Sequence, residues 1–251
     1  MVKWLCAVIV LISVSLLAQA PYLQHRRTVS RPPPAAGGGG GSNVTLDTSA
    51  KGTPGSVVTS CTVAITVANN ANRVLIIAVG RGDGEPGGDT VSSVSSSLDG
   101  ALTHVGSSDS SDNNYCRTEF WRLIAPTAGS HTITVNFSGN VDIAIAMAIS
   151  LYGVDQTTPI GTPTAVNGTV ASTAPTGAVT LGSDDMAVGF ISTDSESLSV
   201  TTGTSRQLET NVSSDMSFGL ASNTGTGSIS ITYSQASNLY ALTVLPVNGA
   251  P

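Results

Sequence analysis

The sequence predicts an all-β fold, a two-sheet sandwich of the jelly-roll kind spanning residues 43–251, preceded by a secretory leader and a linker. Three observations carry this. Short apolar or alternating runs rich in Val, Ile and Thr recur every 8 to 15 residues, separated by Gly, Asn, Asp and Pro. No stretch after residue 43 has the 3.6-residue apolar period of an amphipathic helix. The span also has the length of an ordinary β-sandwich, long enough to bury a core of its own.

Taken in order, residues 1–20 read as a signal peptide. Lys3 is the positive start, 5–17 is an apolar run broken by Ser13 and Ser15, and Ala18-Gln19-Ala20 is an A-x-A cleavage site before Pro21. Residues 21–42 read as a disordered linker, with His25, Arg26, Arg27 and Arg31, then Pro32-Pro33-Pro34, then glycines 37–41. Triproline is stiff, a glycine run is a flexible coil, and neither can bury enough surface to fold. A tether and an inert leader are equally compatible with this composition. An exported chain with its leader removed is expected at the cell surface or outside the cell. No later apolar run approaches the roughly 18 residues of a membrane span, so the mature chain is expected to have none.

Within 43–251, residues 57–67 alternate with Ser and Thr, and 74–79 is a continuous apolar run that suits a central strand. Residues 91–98 and 101–106 flank Asp99-Gly100, which predicts a hairpin with a two-residue type I′ turn. A strand at 115–124 ends before Pro126 and Gly129. Residues 131–137 alternate strictly. Residues 141–152 contain helix-formers, but Ile143, Ile145, Met147, Ile149 and Leu151 keep a period of two, which predicts a long strand. Further strands are expected at 186–192, 216–221, 228–233 and 239–247. The sequence shows no strong internal repeat.

Charge excludes some partners. Six basic residues stand after position 43 against all 16 acidic ones. Nucleic acid and anionic membranes, which need clustered Lys and Arg, are therefore not expected partners. An extracellular glycan or protein is. Oligomeric state is not readable.

Once Cys6 has left with the leader, Cys61 and Cys116 remain, and in an oxidising compartment one disulfide between them is the simplest expectation, against two buried free thiols. No G-x-S-x-G elbow is present, and His104 and His131 have no Cys or His at ligand spacing. Glu119 is the one candidate acid, placed mid-strand beside Phe120 and Trp121 and sharing a face with Tyr115, Arg117 and Trp121 by strand parity. A cross-strand ion pair between Glu119 and an arginine is the competing structural reading. Calcium is the possible cofactor. Asp83, Glu85 and Asp89 in one Gly-rich loop, and Asp109 and Asp112 in a Ser/Asn loop, supply hard oxygen ligands, although neither loop follows a known calcium motif. Arg81-Gly82-Asp83 matches an adhesion tripeptide, and most simply marks a strand running into a glycine turn.

The segment 72–160 resembles an uncharacterised β-sandwich module of secreted and surface proteins of bacteria and their phages. The residues that carry the resemblance are Asn72-Arg73, Leu98-Asp99-Gly100-Ala101-Leu102-Thr103, Glu119-Phe120-Trp121-Arg122-Leu123 with Pro126 and Gly129, and Tyr152-Gly153-Val154-Asp155-Gln156-Thr157-Thr158-Pro159. The resemblance implies a fold and an extracellular setting and supplies no catalytic residues. Asp155, before Pro159, is expected to fix a turn through its side chain. The functional expectation is a secreted, non-catalytic binding or adhesion module. The alternatives are a carbohydrate-active hydrolase or lyase on a jelly roll, and a structural subunit of a surface layer, appendage or virion.

Overall fold

The computed structural model describes residues 43–82, 89–110, 115–168, 170–212 and 216–251, and among these it holds sixteen strands and no helix. The first eight are β1 (Thr45–Lys51), β2 (Gly55–Val67), β3 (Val74–Gly82), β4 (Val91–Ser96), β5 (Gly100–Ala101), β6 (Thr103–Asp109), β7 (Cys116–Ile124) and β8 (Gly129–Tyr152). The second eight are β9 (Thr164–Asn167), β10 (Thr176–Leu181), β11 (Met186–Asp194), β12 (Leu198–Thr202), β13 (Thr204–Val212), β14 (Met216–Thr224), β15 (Gly227–Gln235) and β16 (Tyr240–Val247). Every pairing between named strands is antiparallel. The all-β, sandwich-like expectation holds, with more sheets than the two expected.

β8 is the organising element of the first half. Residues 129–137 pair with β2 on one side and β4 on the other, whereas residues 143–152 pair with β1 and β3. The β2–β8 ribbon thereby serves two layers. An outer layer runs β2-β8-β4, and an inner layer runs β1-β8-β3-β7-β6. Between them lies a core of Val63, Ile65 and Val67 from β2, Leu75, Ile77 and Val79 from β3, and Ile133 and Val135 from β8.

The second half repeats this wiring. Its inner layer runs β9-β16-β11-β14-β13 and its outer layer β10-β15-β12. Taken in chain order, β9 to β16 occupy the places of β1, β2, β3, β4, β6, β7 and the two parts of β8. The registers agree: Val74 faces Leu151 and Ile124, as Met186 faces Val247 and Thr224. Even an irregularity recurs. Register slips between His104 and Gly106 in β6 and between Ser205 and Gln207 in β13, each opposite the equivalent step of β7 or β14. The jelly-roll sandwich is therefore built twice in one chain.

The two inner sheets pack face to face, giving four layers in all. Ile143, Ile145, Met147, Ile149 and Leu151 point into this shared core with Val74, Ile76 and Phe120, against Val188, Phe190, Phe218, Leu220 and Leu245. The intervening Ala144, Ala146 and Ala148 face the first-half core, which explains why β8 keeps its period of two while being apolar on both faces. Phe120 meets Phe190 edge-on at 6.2 Å between ring centroids. Gly80 leaves room for an aromatic ring, since a Cβ there would stand 2.4 Å from Phe218 Cδ1. The contacts follow a pseudo-twofold pattern: β3 lies on β11, β7 on β16 and β14 on β8, with β6 beside β9 and β1 beside β13.

Two expectations are corrected. Cys61 and Cys116 are free, buried thiols and form no disulfide. Cys61 belongs to the core beneath the first outer sheet and Cys116 to the core between the halves, so the inner sheet separates them. Burial raises both thiols to about 12. The hairpin at Asp99-Gly100 exists, but its loop is longer than a two-residue type I′ turn. Ser96 pairs with Gly100, residues 97–99 form the loop, and only Gly100 takes positive φ, +77°.

Candidate functional site

The face that β7 turns toward the first-half sandwich interior carries Arg117, Glu119, Trp121 and Leu123, while Cys116, Thr118 and Phe120 face the shared core. The parity expected from sequence is realised for Arg117, Glu119 and Trp121, whereas Tyr115, just before the strand begins, packs against the shared core instead; β6 adds His104 opposite Trp121. At the edge of the sandwich, between β7 and the start of β4, Thr90, Val91, His104, Arg117, Glu119 and Trp121 line a cavity of about 310 Å³.

Glu119 sits at its base, 3 % exposed. Its Oε1 accepts from Arg117 Nε at 2.7 Å and from the Val91 backbone N–H at 3.4 Å. Its Oε2 accepts from Trp121 Nε1 at 3.3 Å and lies 3.8 Å from His104 Nε2. Arg117 Nη1 donates to both oxygens of Asp109 at 2.7 Å. Burial alone would lower the Arg117 guanidinium, but its bonds to Glu119 and Asp109 outweigh that and hold it above its usual value. The His104 and Trp121 rings stand 5.2 Å apart at 69°, edge to face. The expected Glu–Arg pair is present, within β7 and not across strands, and a second carboxylate, Asp109, joins it.

The second half shows what this position holds when it is only packed. By register, Arg117, Glu119 and Trp121 correspond to Ser217, Gly219 and Ala221 of β14. A Cβ on Gly219 would stand 3.0 Å from the Tyr233 ring and 3.1 Å from Leu198, and Ala221 lies in the second-half core. The Tyr233 hydroxyl donates to the carbonyls of Gly189 and Gly219, at 2.9 and 3.1 Å. One half closes over an aromatic plug, and the other opens over a charged cluster.

The remaining sequence candidates scatter. Asp109 gives both oxygens to Arg117, and Asp89 Oδ1 accepts from Ser138 Oγ at 2.8 Å. Asp83, Glu85 and Asp112 lie outside the described residues. Among the described residues no three His, Cys, Asp or Glu side chains gather as a metal site would require. Asp99 braces its hairpin against the next loop through Thr127 N and Oγ1. Beside it His131, buried, holds Ser96 Oγ at Nδ1 and donates from Nε2 to the Thr127 carbonyl, both at 2.7 Å. With Ser96 and Asp99 both on the Nδ1 side and Nε2 bound to a backbone carbonyl, this Ser–His–Asp group lacks the wiring of a catalytic triad. Asp155 Oδ1 accepts from Thr157 N and Oδ2 from Thr158 Oγ1, both at 2.8 Å, and the Pro159 carbonyl accepts from Asn248 N.

His104 is the site residue that sequence reasoning missed. Its signal was available in the alternation that places it on the strand paired with 115–124, but the pairing partner cannot be read from a single strand. Among the described residues no helix is long and apolar enough to cross a membrane. Comparison of the chain with family models, curated proteins and solved structures returns no match.

Proposed function

We propose that this chain is an exported, non-catalytic binding module that meets an extracellular partner at the Glu119 recess. The observation that supports this most is the contrast between the halves. On a duplicated frame, the same interior position is plugged by Tyr233 in one copy and opened over Arg117, Glu119, His104 and Trp121 in the other. Charged side chains in a sandwich interior cost stability compared with apolar filling, and convergent polar groups beside an aromatic ring in a concave recess support a ligand site.

Binding suits this recess better than hydrolysis. A general acid must offer its proton to the substrate, yet each Glu119 oxygen faces a donor of the protein itself, and Asp109 is tied up by Arg117. The leader-like first twenty residues, and the resemblance carried by Tyr152-Gly153-Val154-Asp155-Gln156-Thr157-Thr158-Pro159, agree with work outside the cell.

The test is an array of surface polysaccharides and extracellular proteins probed with the full chain and with Trp121→Ala, with and without EDTA. Retention of a partner by the wild type, lost in the variant, is the expected result. Retention that survives Trp121→Ala, or release of soluble sugar from a polysaccharide, overturns the reading. Loss of retention with EDTA would bring calcium back into the account.

A further inference from the structure

We infer that the Glu119 recess takes a single neutral pyranose unit, a sugar ring bearing hydroxyl groups and no charge. The inference rests on the binding reading above and names the ligand class for the same cavity.

Size comes first. About 310 Å³ is at the small end of ligand cavities, which run from roughly 300 to 1,000 Å³. It has room for one six-membered ring with its substituents, and further sugar units would lie outside it.

Charge comes next. The charges are already matched to one another, Glu119 and Asp109 to Arg117, while buried Arg81, opposite Arg117 in register, has interactions of its own, so a charged sugar would have to compete with pairs already made. Both oxygens of Asp109 are bound to Arg117, and both oxygens of Glu119 already accept from the protein. An ammonium group would therefore compete with donors already in place. A hydroxyl is less demanding, because it accepts from Arg117 or His104 and donates to a remaining Glu119 lone pair.

Shape completes the match. His104 and Trp121 form an aromatic corner at 69°, suited to the C–H face of a pyranose, while Glu119, Arg117 and the hydroxyl of Thr90 at the rim address its edge. Aromatic residues are scarce in the chain, only 4 % of it, and two of its few rings or ring-like groups sharing one recess with a buried carboxylate is a concentrated arrangement.

The test follows the indole N–H signals of the ¹⁵N-labelled full chain, which has two tryptophans, Trp4 and Trp121, assigned by Trp121→Phe. The probes are methyl glucopyranoside, methyl galactopyranoside, methyl mannopyranoside, sodium glucuronate and methyl glucosaminide. At least one neutral methyl pyranoside should move the Trp121 signal along a saturable curve, with the charged sugars weaker. Glu119→Gln should weaken that binding about tenfold, the effect of removing one charge-assisted hydrogen bond. Thr90→Val, at the exposed rim, should weaken it about threefold without touching the buried cluster. A flat Trp121 response to all three neutral sugars up to about 100 mM, beyond any useful single-site affinity, overturns the inference. So does a response confined to the charged sugars, or a binding curve unchanged in both variants. If the neutral sugars fail while Trp121→Ala still abolishes retention on the array, the ligand class falls and the recess stands. If both fail, the recess falls too.

Discussion

The two halves of this chain have the same strand order, matching registers and even matching bulges, yet they treat one interior position in opposite ways. In the second half Tyr233 fills it, with its hydroxyl satisfied by two backbone carbonyls and Gly219 giving it room. In the first half the corresponding strand offers Arg117, Glu119 and Trp121, and the edge opens. The frame itself does not demand a recess, because its own copy does without one. A departure of this kind, on a background otherwise held constant, separates what the fold needs from what it does not.

The largest expected effect concerns what the halves share. Phe190 is fully buried between the inner sheets, and Phe190→Ala should cost about 3–5 kcal/mol in urea unfolding. Both halves should still unfold in one transition, because their inner faces are apolar and depend on each other. Two separated transitions, with Trp121 fluorescence reporting an unperturbed first half, would show that the halves are independent.

A second comparison sets the plug against the recess. Tyr233→Ala should cost about 3–5 kcal/mol, whereas Trp121→Ala, at a half-buried rim, should cost less than half as much. Equal costs would mean that the first-half position is packed core after all.

Smaller effects test the buried chemistry. Cys61 and Cys116, with thiols raised to about 12, should resist iodoacetamide at pH 8 in the native protein and react fully after unfolding, as followed by intact mass. A mass two hydrogens light after unfolding without reductant would restore the disulfide. The smallest effect lies at Asp155. Hydrogen bonds from Thr157 and then Thr158 hold its carboxyl below the usual value. A carboxylate lowered in the folded state stabilises the protein above its unfolded pKa, and that stabilisation is lost as pH falls through the folded value. Asp155→Asn should therefore lower Tm slightly at neutral pH, with the difference from wild type shrinking as pH falls below the ordinary aspartate range. A difference that persists at low pH would contradict the turn role.

Much of the first half was legible. The strand at 141–152 was recognisable because Ile, Met and Leu alternate with Ala, and the structure explains the pattern by placing a different core on each face. The runs at 74–79, 186–192 and 239–247 were continuous because inner strands are covered on both sides. The duplication was not legible. Equivalent strands share pairing and burial but not residues: Val74 corresponds to Met186, Glu119 to Gly219 and Trp121 to Ala221. Strands such as β1, β9, β12 and β13 were hidden by Ser- and Thr-rich sequence, since partly exposed strands need little apolar alternation. The disulfide was misjudged because two cysteines in a chain say nothing about which side of a sheet each will face. The recess was half visible: strand parity grouped Arg117, Glu119 and Trp121, but only strand pairing could add His104 and Asp109.

The most direct test of the central claim is to titrate the full chain with the surface polysaccharide or protein it retains on the array, while recording the indole N–H signals. The account predicts that Trp121 shifts saturably with that partner, that Glu119→Gln weakens the response, and that Tyr233→Phe in the plugged half leaves it unchanged. Saturable binding that leaves the Trp121 signal where it stood would place the contact elsewhere on the molecule and contradict the account.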